Sequence, residues 1–361
     1  MKEAIVQPDL KVDIVDSEIP VPKDDEVVTK VVVSGSNPKD WKRPVMSRQA
    51  MNSGDDIAGV VHQVGRNVYE FKPGDRVAAF HQMMAPGGSF AEYAVSWAHT
   101  TFHIPNHTSF EEAASIPLAA MTAAIGLYQR FEGLPLPWHP TAKPIPLMVY
   151  GAASAVGAYA IKLCQLSNIH PLICIAGRGI PFVETLISPE KGDIILDYRQ
   201  GNDQLVADLQ SAVSKVPGGN IHYAFDAVSE HHSFQNISRV LDTSTGQITL
   251  VLPGKDYSAI PASITQTTTM VGAVHADMDQ RQFQKATGSR TGNTEFGYVM
   301  FRFFGRGLAE GWFRGHPTEV VAGGLGGVSA ALTDLKEGRA SAVKYVFRLE
   351  ETEGVERYRT N

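Results

Sequence analysis

Apolar residues recur along this chain on two different periods. From Met1 to about Val95 they alternate with polar residues or gather in short β-branched runs, Val12–Val15, Val27–Val33 and Ile57–Val64, as strands require. Turn clusters at Pro20–Asp25 and Asn52–Asp56 separate these runs. Pro-Gly-Asp within Phe71–Val77 makes a tight turn into Val77–Phe80, and Gly87–Val95 is a turn feeding a further strand. The pattern predicts a small β-barrel or sandwich without helices. The period then lengthens over Phe110–Leu127, where Ser109 suits an N-cap and Glu111 and Glu112 fall in the first turn. That helix should run to Pro117, and a second should start near Ala119 and carry Thr122.

Prolines 135, 137, 140, 144 and 146 fill the run from Gly133 to Pro146, which can neither continue a helix nor join a central strand. An extended surface linker is expected there. Beyond it, strands and helices alternate. Apolar runs at Leu147–Tyr150, Pro171–Ala176, Asp193–Asp197, Tyr223–Ala227, Gly246–Leu252 and Thr268–Val274 are separated by helical stretches at Ala158–Ser167, Phe182–Ile187 and Gln204–Val213. Such alternation predicts a parallel sheet covered on both faces. Ala276–Thr294 is polar and expected as a loop. Glu295–Trp312 has a helical period, Gly323–Gly338 is a glycine-rich turn leading into a helix, and Lys344–Leu349 is a last strand.

The junction after Tyr150 carries the first chemical signal. Gly151-Ala-Ala-Ser154-Ala-Val-Gly157 joins a short strand to a helix, as in a dinucleotide-binding unit. There the chain closes on a pyrophosphate and the amides of the new helix receive its charge. Gly151 permits the bend, Ser154 is small enough for phosphates to approach, and Gly157 lets the helix pack closely on the strand. Candidate cofactor contacts are therefore Gly151, Ala152, Ser154, Ala155, Val156 and Gly157. The spacing departs from Gly-x-Gly-x-x-Gly, so an ordinary strand-to-helix turn of small residues is the competing reading.

Composition narrows the classes. A chain of 361 residues suits two domains, and 43% hydrophobic and 19% charged residues describe a soluble globular protein. A net charge of −6 gives no reason to expect nucleic acid or an anionic membrane as a partner. Cys164 and Cys174 are expected as buried thiols in a reducing compartment. Charges interrupt the first sixteen residues too often for a signal peptide, and no apolar run approaches the ~20 residues that cross a bilayer. The expected location is the cytoplasm.

Taken in order, the stretches Ser36–Lys42 (SNPKDWK), Ala58–Val61, Phe71–Val77, Gly88–Tyr93, Leu118–Ala124, Gly151–Gly157, Phe225–Val228 and Gly338–Leu349 resemble the medium-chain dehydrogenase/reductase superfamily over nearly the whole chain. Gly133–Pro137, Glu310–Phe313 and Glu319–Gly327 are similar to its fungal TOXD-like branch, near the trans-acting enoyl reductases of polyketide biosynthesis. The resemblance implies an α/β fold. A GroES-like β-barrel domain (1–121 and 295–361) would accompany a Rossmann domain with a doubly wound parallel sheet (122–294), the active site lying in the cleft between them. In zinc-dependent members a ligand cysteine stands where this chain has Asn37-Pro-Lys-Asp40, and a ligand histidine followed by glutamate where it has Asp55-Asp56. A four-cysteine lobe cannot form from Cys164 and Cys174, so no metal is expected.

The second strand of the unit ends in Gly177-Arg178-Gly179 with no acid before Glu184. Arg178 suits a bidentate grip on a 2′-phosphate, and the resemblance adds Tyr198, so NADPH is preferred over NADH. Leu252, at the end of the Gly246–Leu252 strand, completes the cofactor set. Asn37 and Thr122 match positions that contact the nicotinamide ribose or ring edge in relatives. Lys42 matches a lysine of the trans-acting enoyl reductases, to bind a phosphate or supply positive potential, with a plain surface lysine as the alternative. Trp41, His81 and Met83 are expected on the substrate side. His81 is a candidate proton donor, although a lone histidine at a strand end is more often structural.

These readings imply an NADPH-dependent, zinc-independent reductase of an activated C=C bond. Its substrate would be a small enone or an enoyl chain tethered to a carrier protein, with a polyketide synthase as a possible partner and a monomer or homodimer as its state. A quinone or carbonyl reductase, or a non-catalytic cofactor-binding relative, is the alternative.

Overall fold

The computed structural model describes residues 1–275 and 293–356. The chain divides into two compact units, Met1–Leu118 with Thr294–Asn361, and Ala119–Asn293.

The first unit is organised by one strand. Strand β3 (Glu26–Gly35) follows a hairpin of β1 (Lys2–Val6) and β2 (Val12–Asp16), and it has three neighbours in a seven-stranded sheet. One edge is shared: Glu26–Lys30 pair with β6 (Tyr93–Trp97), and Val33–Gly35 pair with the C-terminal strand Lys344–Arg348. The other edge pairs with β4 (Asp56–Val64) through register shifts at Val28/Thr29 and Val31/Val33. A strand serving two partners on one edge must bend between them, and such irregularities are where a strand bends and its twist rises. β5 (Arg76–Phe80) and β7 (Thr101–His103) continue the sheet beyond β4, and Thr318–Val320 lies parallel to Lys344–Arg348 at the far edge. The C-terminal strand therefore belongs to the first unit's core, where Phe347 meets Phe90 edge to face at 5.5 Å.

The expectation of no helix before Val95 is corrected by α1 (Pro38–Ser47). Pro38 sits in its first turn, where a missing N–H costs nothing, and the Asp40 carboxylate accepts the Asn37 N–H at 2.7 Å. Pro44 inside the helix hid it from a reading of periodicity. Helix α2 (Phe110–Ala114) starts where expected, with the Ser109 hydroxyl accepting the Glu112 N–H, and α3 (Pro117–Tyr128) begins at Pro117 rather than Ala119.

The second unit is a six-stranded parallel sheet. Its order is β10 (Ile194–Asp197), β9 (Leu172–Ala176), β8 (Leu147–Tyr150), β11 (Tyr223–Asp226), β12 (Gln247–Leu250), β13 (Thr265–Thr268). In order of appearance this is 3-2-1-4-5-6, so the chain reverses direction across the sheet between β8 and β11. Ligands of open parallel sheets bind at such a reversal, beyond the carboxyl ends of the strands. Helices α4 (Ala155–Leu166), α5 (Ile180–Glu184) and α6 (Asn202–Val213) link the first strands. The strand expected over Thr268–Val274 is corrected: the sheet ends at Thr268, and Val271–Val274 forms a 3₁₀ turn. The loop expected over Ala276–Thr294 lies outside the described residues except at its last two positions. Cys164 and Cys174 are buried free thiols.

Candidate active site

In the second unit β8 is buried along its length and delivers the chain to Gly151 at φ +77°, a left-handed conformation that side chains resist. A Cβ there would also strike Val228, just beyond β11, so the turn fills the reversal point. A Cβ on Gly157 would strike the Gly151 carbonyl oxygen, so the start of α4 lies directly on the turn. Ala152 is buried, and Ala155 and Val156 form the first turn of α4, whose leading amides have no partners within the helix. The Ser154 hydroxyl is the N-cap and accepts the Gly157 N–H at 3.0 Å, a role beyond the small size for which the sequence singled it out. With no acid in its first turn, α4 presents its positive end without a charge of its own to neutralise it.

The carboxyl ends of the neighbouring strands converge beside this turn. A Cβ on Gly177 would lie 2.7 Å from the Tyr198 ring, so Tyr198 covers the end of β9 beside exposed Arg178. Arg199 is committed elsewhere, its guanidinium forked on Asp197 at 2.9 and 2.6 Å. Leu252 is half-buried two residues past β12, its carbonyl accepting the Tyr257 hydroxyl at 2.6 Å. Asp226 shapes the loop that faces Gly151 by accepting the amides of Val228 and Ser229 and the hydroxyl of Ser233 at 2.6–3.0 Å. Burial pushes its carboxyl up to about 6 despite those bonds. Thr122 lies buried on α3 in the same unit.

In the first unit Asn37 sits in a closed network of buried charges. Its side-chain Nδ2 donates to Asp56 Oδ2 at 2.7 Å, its Oδ1 accepts from Lys344 Nζ at 3.0 Å, and Lys344 also pairs with Asp56. The other Asp56 oxygen accepts the Leu118 N–H at 2.7 Å. Two residues on from Asn37, Lys39 places its ammonium between Asp40 (2.9 Å) and Asp55 and donates to the Ser53 carbonyl. Burial drives the Asp40 carboxyl up to about 7, the Lys39 charge opposing, and it raises Asp55 in the same way. Burial works against the Lys39 ammonium, but the two carboxylates outweigh it and hold its pKa above the usual value.

Lys42 and Trp41 are half-buried on α1, the ammonium 5.5 Å above the indole ring. Met83 is half-buried in the turn after β5. His81 is 2% exposed, and its ring nitrogens face the carbonyl oxygens of Val95 (2.7 Å) and Ala85 (3.0 Å). It ties the end of β5 to that turn, and neither nitrogen is turned out as a proton donor.

Asn37, Asp55 and Asp56 thus meet lysine ammonium groups rather than thiolates or imidazoles, and among the described residues no three metal-ligating side chains converge. Sequence reasoning missed Lys39, Asp40 and Lys344. The Asn37–Asp40 spacing was a readable helix-start signal. Lys344 had none, because its partners lie 288 and 307 residues away.

Residues 23–106 match the family model described as the alcohol dehydrogenase GroES-like domain. The chain is 49% identical over 327 residues to the trans-enoyl reductase fsr4 of Gibberella fujikuroi, covering 90% of this chain and 91% of that one. It is 26% identical over 338 residues to lovC of Aspergillus terreus, named the enoyl reductase component of lovastatin nonaketide synthase, with 90% of each covered. A quinone oxidoreductase from Pseudomonas syringae pv. Tomato DC3000 shares the fold at a TM-score of 0.72 and 19% identity, over 96% of this chain and 99% of that one. The chain belongs to the medium-chain dehydrogenase/reductase superfamily of oxidoreductases, in the branch of the fungal trans-acting enoyl reductases.

Proposed function

We propose that the protein is an NADPH-dependent reductase of the activated C=C bond of an enoyl thioester, acting in trans on chains carried by a polyketide synthase. The turn of the second unit is the observation that carries this reading. Its glycines let the turn close on Val228 and the start of α4 close on the turn where the sheet reverses, and the uncharged cap of α4 leaves that helix's positive end to the phosphates. Arg178 and Tyr198 would flank the 2′-phosphate of NADPH, and Leu252 would meet the cofactor beyond β12. Bound there, the reduced nicotinamide supplies a hydride to the β-carbon of the alkene.

The chain's own residues must orient the reactants and receive the charge that gathers on the thioester oxygen. Asn37, locked between Asp56 and Lys344, would hold the nicotinamide ribose in one orientation, with Thr122 as a second contact. Lys42 would supply positive potential toward the acyl carrier's phosphate or the developing oxyanion. With both His81 nitrogens on backbone carbonyls, the proton for the α-carbon would come from solvent. The reading places the enzyme in the cytosol, in keeping with its free thiols.

Purified protein incubated with NADPH and, separately, crotonyl- and longer enoyl-pantetheine, a benzoquinone and an aldehyde tests the proposal. Saturated thioester formed from the enoyl substrates, with the quinone and aldehyde left largely unreduced, is the expected outcome. Preferential reduction of quinone or aldehyde would replace it with a carbonyl or quinone reductase.

A further inference from the structure

The proline-rich run before β8 is more than the surface linker that its composition suggests. The Thr141 amide donates to the Ser167 carbonyl (3.1 Å), Asn168 Nδ2 donates to the Thr141 carbonyl (2.7 Å), and the Ile145 amide donates to the His170 carbonyl (2.8 Å). Pinned in this way, Ala142–Pro144 becomes one wall of a cavity of about 750 Å³ at the amino ends of β9 and β10. The carboxyl-terminal end of α6 and the chain following it form another wall.

The cavity has an apolar floor and a cationic rim. Ile173, Ile194, Leu196, Ala212 and Val216 supply the floor, and Ile194 remains 37% exposed on the outermost strand of the sheet. Lys143, Lys191 and Lys215 stand around it against one carboxylate, Asp208, in a chain whose net charge is −6. One ammonium is held in place from below. Buried Asp193 accepts the amides of Leu172 (2.7 Å) and Ser188 (2.9 Å) and the side chain of Gln165 (3.0 Å), and its Oδ1 lies 2.8 Å from His170 Nδ1. A carboxylate accepting on that side makes Nδ1 the donor, so the lone pair of His170 Nε2 faces Lys191 Nζ at 3.4 Å. Lys191 Nζ also donates to Asn168 Oδ1 at 2.9 Å. A lysine tied down by a buried His–Asp pair beside the exposed side chain of Ile194 is costly to arrange for a surface with no ligand.

We propose that this cavity is a second ligand site, for an amphipathic anion: an alkyl chain of medium length that ends in a carboxylate or phosphate. The chain lies on Ile194 and Leu196, and the head group is received by Lys191 and Lys143. The volume falls within the roughly 300–1,000 Å³ of small-molecule sites. The head-group lysines precede β8 and β10 whereas the cofactor turn follows β8, a separation of four strand residues or roughly 13 Å at about 3.3 Å per residue, so both can be filled together. It does not depend on the reaction proposed above.

Calorimetric titration of the full chain with octanoate, octyl phosphate and octanol, with and without NADPH, tests the site. Both anions should bind at least tenfold more tightly than octanol, equally well with NADPH present, and the tighter of the two identifies the head group. Lys143→Glu with Lys191→Glu should weaken the anions at least tenfold while leaving NADPH binding unchanged. Ser211→Trp, at an exposed wall position, should remove all three ligands. The His170 imidazole resonances of the unaltered protein should shift on adding octanoate, a readout that needs no variant to fold. Anions binding no better than octanol, charge-reversed protein binding them unchanged, displacement by NADPH, or unmoved His170 resonances would each overturn the proposal.

Discussion

The starts of α4 and α1 make an instructive pair. Both helices begin beside a candidate catalytic feature. Helix α4 is capped by a neutral hydroxyl and carries no acid in its first turn, so its positive end remains available to a bound anion. Helix α1 is capped by its own carboxylate, Asp40, which takes the Asn37 amide and a lysine besides. That end is closed to a ligand and serves instead to hold Asn37 still. One helix start is built to receive charge, the other to position an amide. The first is made of small residues in one local segment, the second of buried charges drawn from both ends of the chain.

This contrast orders the expected effects of mutation. The largest belongs to the buried charges. Lys344→Met leaves Asp56 without its cation and should cost about 3–5 kcal/mol in urea unfolding. Adding Asp56→Asn should recover much of that loss if the network is self-contained. Next comes Gly157→Ala, which pushes α4 off the turn. NADPH fluorescence should report an affinity about a hundredfold lower, equivalent to ~2.7 kcal/mol. Arg178→Ser should weaken NADPH about tenfold and leave NADH nearly unchanged, as a lost charge-assisted bond to the 2′-phosphate requires; equal losses would remove Arg178 from phosphate recognition.

A smaller effect depends on pH. The folded-state value of Asp40 is raised to about 7 from an ordinary 3.8, so between those values the folded chain holds a proton that the unfolded chain has released. Its contribution to stability is therefore greatest toward pH 4 and is lost as the pH rises through about 7, with a slope of at most about 1.4 kcal/mol per pH unit. Urea midpoints of the wild type minus those of Asp40→Asn, compared at pH 5 and 7.5, should show that slope; a pH-independent difference would remove Asp40 as its source. The smallest effect is Ser154→Ala, a lost cap worth ~1 kcal/mol of stability, with NADPH affinity falling only a few-fold.

The same contrast explains what the sequence could show. The parallel sheet and its cofactor turn were legible because strand, glycine, serine cap and helix follow one another within Leu147–Leu166. Helix α1 was hidden by Pro38 and Pro44 and by a context of strands, although Asn37 and Asp40 held the spacing of a helix start. The environment of Asn37 could not be read locally, since Lys344 reaches it only once the last strand has joined β3. His81 looked like a proton donor because residue type was visible and its two carbonyl partners were not. The proline run read as an extended linker because composition reports which elements it cannot join, not the hydrogen bonds that pin Thr141 and Ile145.

The central claim is that the turn at Gly151–Gly157 would hold NADPH, whose hydride would pass to the β-carbon of an activated alkene. NADPH deuterated at both C4 positions, incubated with the enzyme and crotonyl-pantetheine and followed by mass spectrometry and NMR of the product, tests it most directly. One deuterium at the β-carbon of a butyryl thioester, with the α-hydrogen drawn from water, is the predicted result. Deuterium on a carbinol carbon, or a product unlabelled while NADPH is consumed, would contradict it.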